Sequence, residues 1–225
     1  MKALIVILTL LCLTQISTGQ QTKQPSTDFF NKKLSFGIFL GLEYLHLKLK
    51  ESNWQQTNLK DTFNSINTTN KSGFFLGMQA KVRLTNNLYY RQAFQLTFES
   101  ADLNFIRKSG ITDKINIQNI LLGFPIHFLF QSDRDKTRPF VFSGVTPKYL
   151  LGQTKEAESL IPLKNLGMTL DVGIGMEIKS KHFAVVPSLT LSNGLINVNK
   201  SINTSYSKTI SSLKRQIINF TIALK

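Results

Sequence analysis

Residues Leu166–Ser180 read LGMTLDVGIGMEIKS, and the stretch alternates without a fault. Leu166, Met168, Leu170, Val172, Ile174, Met176 and Ile178 are apolar, and Gly167, Thr169, Asp171, Gly173, Gly175 and Glu177 between them are small or polar. Side chains of a strand point alternately to its two faces, so period two predicts a β-strand with one apolar and one polar face. Alternation over about 13 residues gives roughly 43 Å at 3.3 Å per residue. Tilted near 45°, that rises about 30 Å, the thickness of a bilayer's hydrocarbon layer.

The same pattern recurs on both sides of this stretch. Leu34, Phe36, Ile38, Leu40, Leu42 and Tyr44 alternate with Ser35, Gly37, Phe39, Gly41 and Glu43. After Tyr44 the apolar phase moves to Leu45, Leu47 and Leu49, which predicts a bulge or an edge leaving the sheet. Phe74–Val82 and Leu88–Phe98 form the second and third candidate strands. The fourth runs roughly over 115–130 with Pro125 inside it, and the fifth over Phe140–Gln153 with Pro147. Proline is tolerated in a ladder only where no N–H bond is needed. Leu166–Ser180 is the sixth strand, Phe183–Val198 the seventh, and the eighth carries Ile218, Phe220, Ile222 and Leu224 in phase.

The connections alternate in length. Thr85–Asn87 and Lys179–His182 are short and Gln131–Arg138 is medium, whereas Glu51–Asn70, Ile106–Lys114, Thr154–Asn165 and Asn199–Ser211 are longer. Short turns at one end and long loops at the other are the layout of an outer-membrane barrel. A soluble sandwich or lipocalin-like barrel gives no reason for it.

Which face is outside follows from the polar phase. Gly37, Gly41, Gly73, Gly77, Gly123, Gly167, Gly173 and Gly175 all lie on it. On a solvent face they would serve nothing, but an eight-stranded barrel has an interior barely wide enough for side chains. Glu43, Lys81, Arg83, Arg91, Glu99, Asp171, Glu177 and Arg215 share that phase and are predicted to form a polar network across the lumen. Tyr89, Tyr90, Phe128, Phe130, Phe140 and Phe183 gather near the short-turn ends, as an interfacial aromatic girdle would. The expected fold is therefore all-β, an eight-stranded antiparallel transmembrane up-and-down β-barrel with its apolar face toward lipid.

The N-terminal run MKALIVILTLLCLTQISTGQ has a lysine, an apolar core and small residues after it, the pattern of a secretory signal peptide over 1–20. Residues 21–32 read as a periplasmic leader and 33–225 as the barrel domain. Cys12 is the only cysteine and would leave with the signal, so no disulfide or thiolate metal site is expected. With 27 basic and 13 acidic side chains the net charge is +14. So basic a chain suits acidic lipid head groups or anionic glycolipid, and export argues against nucleic acid.

Little in the sequence points to chemistry. His46, His127 and His182 fall on different strands or turns, with no partner at metal-ligand spacing. His46 near Glu43 invites a Ser-His-Glu reading, as in outer-membrane lipid-A deacylases, but nothing identifies a nucleophile. Gly173-Ile174-Gly175 lacks the third glycine and following helix of a dinucleotide loop and reads as barrel lining. No catalytic, cofactor or metal site and no small-molecule substrate are expected. Trp54, in the longest external loop, is a candidate contact for a partner or for the head-group layer.

Several segments resemble the PorT family of small outer-membrane barrels of Bacteroidota: LYYRQAFQLTF (Leu88–Phe98), NILLGFPIHF (Asn119–Phe128), SDRDKTRPFVFSGV (Ser132–Val145) and LDVGIGMEIKSKHFAVVPSLTLSNGLINV (Leu170–Val198). The resemblance implies a non-enzymatic component or assembly factor of type IX protein secretion, in the cell outer membrane, with membrane lipid and other secretion proteins as partners. The chain departs from outer-membrane custom at its end, where Ile222-Ala223-Leu224-Lys225 stands in place of an aromatic assembly signal. Two other readings stay open: a generic OmpA- or OmpX-like structural or adhesive barrel, and a lipid-A-modifying enzyme.

Overall fold

The structure, a computed structural model, describes residues 33–52, 63–132, 137–180, 182–200 and 204–225. Trp54, the signal peptide and the leader lie outside the described residues. Ten strand segments run β1 (Leu34–Glu51), β2 (Phe63–Thr69), β3 (Lys71–Arg83), β4 (Leu88–Arg107), β5 (Thr112–Gly123), β6 (Ile126–Gln131), β7 (Thr137–Gln153), β8 (Leu166–Lys179), β9 (Ala184–Gly194) and β10 (Ile210–Leu224). Helix α1 (Lys155–Leu160) lies between β7 and β8, and α2 (Ser205–Lys208) precedes β10.

Every pairing is antiparallel, and β10 closes onto β1, Leu224 opposite Ile38 through Lys214 opposite Lys48. Two of the staves are interrupted, β2/β3 at Asn70 and β5/β6 at Phe124-Pro125. Eight staves therefore make the ring. Pro125 has no N–H to give, and the break keeps its carbonyl in use: Ala93 N donates to it at 2.9 Å, while Phe124 N donates to Pro147 O at 2.9 Å. Closure satisfies the sheet edges, which is what permits strands to cross a bilayer at all.

A belt of large apolar side chains faces outward around the ring. On β1 it runs from Leu34 to Tyr44, with Phe36 69 % exposed; on β8 it runs from Leu166 to Ile178, with Ile174 58 % exposed. In water such a surface would far exceed the few hundred Å² that monomers tolerate. Against lipid it costs nothing.

Above Tyr44 the pattern inverts, and the reason is not the expected bulge. The pairing of β1 with β10 is continuous from Ile38 to Lys50, and its first irregularity falls at Lys50/Glu51. The strand runs straight while Leu45 and Leu47 turn inward and His46, Lys48 and Lys50 turn outward. On β4, Ala101, Leu103 and Phe105 are buried inside in the same way, and on β5, Ile115 and Ile117. These residues, with Ile66, Ile210, Leu213 and Ile217, form a hydrophobic core that Ala157 of α1, Ile161 at its C-terminal end and Leu163 close from above. This part of the barrel stands in water, where burial of apolar area again drives side chains inward.

The strand extension also shortens the expected loops. β2 occupies Phe63–Thr69 within the Glu51–Asn70 link. The Ile106–Lys114 link is a tight turn, because β4 runs on to Arg107 and β5 starts at Thr112; Gly110 takes φ +81° there, and Arg107 N donates to Ile111 O at 2.8 Å. The Thr154–Asn165 and Asn199–Ser211 links carry α1 and α2.

Candidate functional site

Within the span, the buried charged side chains of the described residues gather in the lumen, and they are layered. In the outermost layer Arg215 of β10 donates to Glu99 of β4 through Nε (2.9 Å) and Nη2 (2.8 Å), and Asn119 of β5 donates to the same oxygen at 2.9 Å. Lys148 of β7 sits 3.5 Å from Glu43 of β1. All four charged groups are buried, and two cations balance two carboxylates.

The middle layer is Arg91 (β4), His127 (β6) and Asp171 (β8). Arg91 can only donate, so Nδ1 of His127 accepts its Nη2–H at 2.9 Å. The imidazole proton is then on Nε2, which donates to Asp171 Oδ2 at 3.1 Å. Thr146 and Thr169 also donate to Asp171, Thr169 at 2.8 Å. Both nitrogens of His127 are occupied, and the hydroxyls nearby are turned to the carboxylate. In this layer the imidazole has no free nitrogen.

The innermost layer, near the short turns, centres on Glu177 of β8. It accepts from Lys81 of β3 at 3.0 Å and from Lys225 at 2.7 Å. Lys81 also bonds Gln131 and lies 4.2 Å from the Tyr89 ring centroid, and Arg138 stands opposite Glu177 in register. Between the layers a space of about 50 Å³ remains, bordered by Arg91, His127, Lys148, Asp171 and Asn219. That holds a few waters but makes no channel.

Seven of the eight residues expected in the lumen thus lie buried inside: Glu43, Lys81, Arg91, Glu99, Asp171, Glu177 and Arg215. Arg83 does not join them. It lies at the rim, where Nε donates to Thr85 O at 3.2 Å and braces the β3–β4 turn. His127, Lys148, Arg138 and Lys225 belong to the layers as well, beyond the eight residues expected there. His127 and Lys225 lie on the polar phase of their strands, so that signal was present. Lys148 sits next to Pro147, where alternation is poor.

The lumen is also less polar than its phase implied. Phe39, Phe75, Tyr89, Phe140 and Phe142 pack inside with Leu129 and Val186. Each of four rings lies opposite a glycine: Phe75 to Gly41, Phe39 to Gly77, Phe142 to Gly173 and Phe140 to Gly175. A Cβ on Gly173 would come within 2.3 Å of the Phe142 ring, and one on Gly41 within 2.2 Å of Phe75. The ring covers the glycine backbone, and the glycine leaves the ring its place. Tyr89 and Phe140 are therefore lumen residues and not part of the aromatic girdle, whereas Tyr90, Phe128, Phe130 and Phe183 face outward.

His46 and Glu43 lie on opposite faces of β1, so no Ser-His-Glu arrangement can form from them. Outside the wall, His46 Nδ1 lies 2.6 Å from Asn70 Oδ1, and Asn70 Nδ2 donates to the Tyr44 hydroxyl at 3.0 Å. His182 is exposed near the β8–β9 turn. Among the described residues no three His, Cys, Asp or Glu side chains converge as metal ligands.

A closed ring of eight staves, an outward apolar belt and a polar, filled lumen define the class: an eight-stranded membrane-spanning β-barrel. No family model and no curated protein matches the chain. Among solved structures it is similar to the outer membrane protein OprG from Pseudomonas aeruginosa, at 12% identity over 84% of this chain and 93% of that one, with a TM-score of 0.51. Neisserial surface protein A (NspA) is similar at 11% identity over 86% of this chain and 99% of that one, TM-score 0.45. For the outer membrane protein AlkL the values are 12% identity, 92% and 94% coverage, and TM-score 0.45. At such identities the likeness is one of fold.

Proposed function

We propose that this protein is a non-enzymatic outer-membrane barrel that serves type IX protein secretion as a component or assembly factor. The observation that carries the non-transporting, non-catalytic part is the filled lumen. Its charges are tied across the barrel, and the only imidazole inside has both nitrogens engaged. A barrel that neither conducts nor catalyses acts through its surfaces. Those surfaces are the short turns at one end and, at the other, the capped extension formed by the upper parts of β1, β4, β5 and β10. The secretion role rests on the resemblance of Leu88–Phe98, Asn119–Phe128, Ser132–Val145 and Leu170–Val198 to PorT-like barrels.

Deleting the gene tests it. Loss of type IX substrates from the medium, restored by the wild-type gene, is the expected result. Intact secretion, with only envelope fragility or lost adhesion, would leave a structural or adhesive barrel instead. Membrane fractionation with heat-modifiable gel mobility places the folded protein in the same strain.

A further inference from the structure

On the outer wall, four neighbouring strands carry a graded set of side chains just where the apolar belt ends. The lowest row is Tyr44 (β1), Ile218 (β10), Leu191 (β9) and Val172 (β8), aligned by the ladder registers. The next row is His46, Gln216, Asn193 and Leu170, mostly polar. The third is Lys48 directly opposite Lys214. The two lower rows line one continuous groove of about 620 Å³ on the outside of the barrel. Its wall at His46 is held by the Asn70 side chain, which ties His46 to Tyr44.

Two features call for a ligand. Like charges directly opposite on one face of an antiparallel pair destabilise the sheet. Lys48 and Lys214 nonetheless face each other, and among the described residues neither has a carboxylate partner. The second feature is the order of the rows. From Tyr44 to Lys48 is four residues, roughly 13 Å along the strand and about 9 Å along the normal of a tilted barrel. That is the scale of the interfacial layer over the hydrocarbon. Apolar, amide and ammonium rows follow one another as acyl chain, linkage and phosphate do in a lipid.

We propose that this groove is a binding site for a lipid whose phosphate-bearing headgroup carries a net negative charge. The acyl chains lie along Val172, Leu191 and Ile218, and the phosphate bridges the Lys48 and Lys214 ammonium groups. The bound anion turns a repulsive cross-strand pair into an attractive clamp. The site fixes the barrel's height and rotation relative to one lipid, independently of any secretion partner.

Titration of the folded full chain in neutral detergent with dioleoyl phosphatidic acid, followed by native mass spectrometry, tests the site. Dioleoyl phosphatidylcholine is the neutral-headgroup control and inorganic phosphate the competitor. Phosphatidic acid is expected to bind at least tenfold tighter than phosphatidylcholine. Lys48→Gln and Lys214→Gln are each expected to weaken it about fivefold, the usual effect of one surface lysine at an anionic membrane. Lys48→Arg with Lys214→Arg should retain binding, and Lys155→Gln on α1 should not change it. Heat-modifiable mobility verifies that each variant is folded. Equal affinity of wild type and the double glutamine variant would overturn the proposal. So would equal binding of both lipids, which leaves only an apolar groove, or full displacement by inorganic phosphate, which leaves only an ion site.

Discussion

The lower and upper parts of this barrel share the same strands and obey opposite rules. In the span, Leu40, Leu42 and Ile174 face out, while Glu43, Glu99 and Asp171 are buried within. A few residues further along, Leu47, Leu103 and Phe105 are inside and Lys48, Lys50 and Lys114 are outside. No change of backbone marks the boundary, since β1 and β10 stay in register across it. The medium alone decides. Where lipid surrounds the wall, hydrophobic burial offers no inward drive and the interior can hold paired charge. Where water surrounds it, the ordinary core returns.

The contrast is broken most severely by unbalancing a buried charge in the span. Glu99→Leu leaves Arg215 without its carboxylate and is expected to cost about 3–5 kcal/mol, whereas Glu99→Leu with Arg215→Leu recovers most of that. Denaturant unfolding in lipid vesicles measures both; a double variant no better than the single one would show that the pair is not the source of the loss.

A smaller effect separates the two outer surfaces. Ile174→Arg puts a cation into the lipid-facing belt and should cost about 2–4 kcal/mol. Gln118→Arg, on the outward face of β5 beyond the belt, should stay within about 0.5 kcal/mol of wild type. Similar costs at both sites would mean that the belt ends elsewhere.

The smallest effect concerns Asp102, outward on β4 above Phe98, the last apolar residue of that strand's belt. Burial pushes its carboxyl up, but hydrogen bonds from Lys71, Asn116 and Lys114 outweigh this and hold it below the usual carboxylate value. A depressed carboxyl stabilises the fold above its unfolded value, near pH 4, and loses that contribution as pH falls through the folded value. Asp102→Asn should therefore cost roughly 0.5–1 kcal/mol at pH 7 and nothing near pH 2, compared by unfolding at the two pH values. A gap unchanged with pH would remove the ionic explanation.

How far each feature was legible depends on the range over which it is encoded. Alternation over Leu166–Ile178 is local, so strand identity could be read directly. Glycine placement turned the same stretch into a statement about which face is cramped, and Gly173 and Gly175 do lie against the Phe142 and Phe140 rings. The phase change after Tyr44 was equally visible but pointed to a bulge. Period two reports which residues share a face and is silent about what that face meets, so a change of solvent and a change of backbone look alike. The same blindness placed Tyr89 and Phe140 in the girdle.

By itself the sequence determined the strands, the polar phase and the class of barrel they build, because those rest on residues two apart. Which charges meet was decided only by closure. Glu99 and Arg215 are 116 positions apart, Lys148 and Glu43 105 apart, and Lys81 and Glu177 96 apart. No periodicity carries such pairings; they exist because the ring brings β10 to β1 and folds opposite walls across a narrow lumen. Lys48 opposite Lys214 belongs to the same kind, a juxtaposition written in the register of the closing strands.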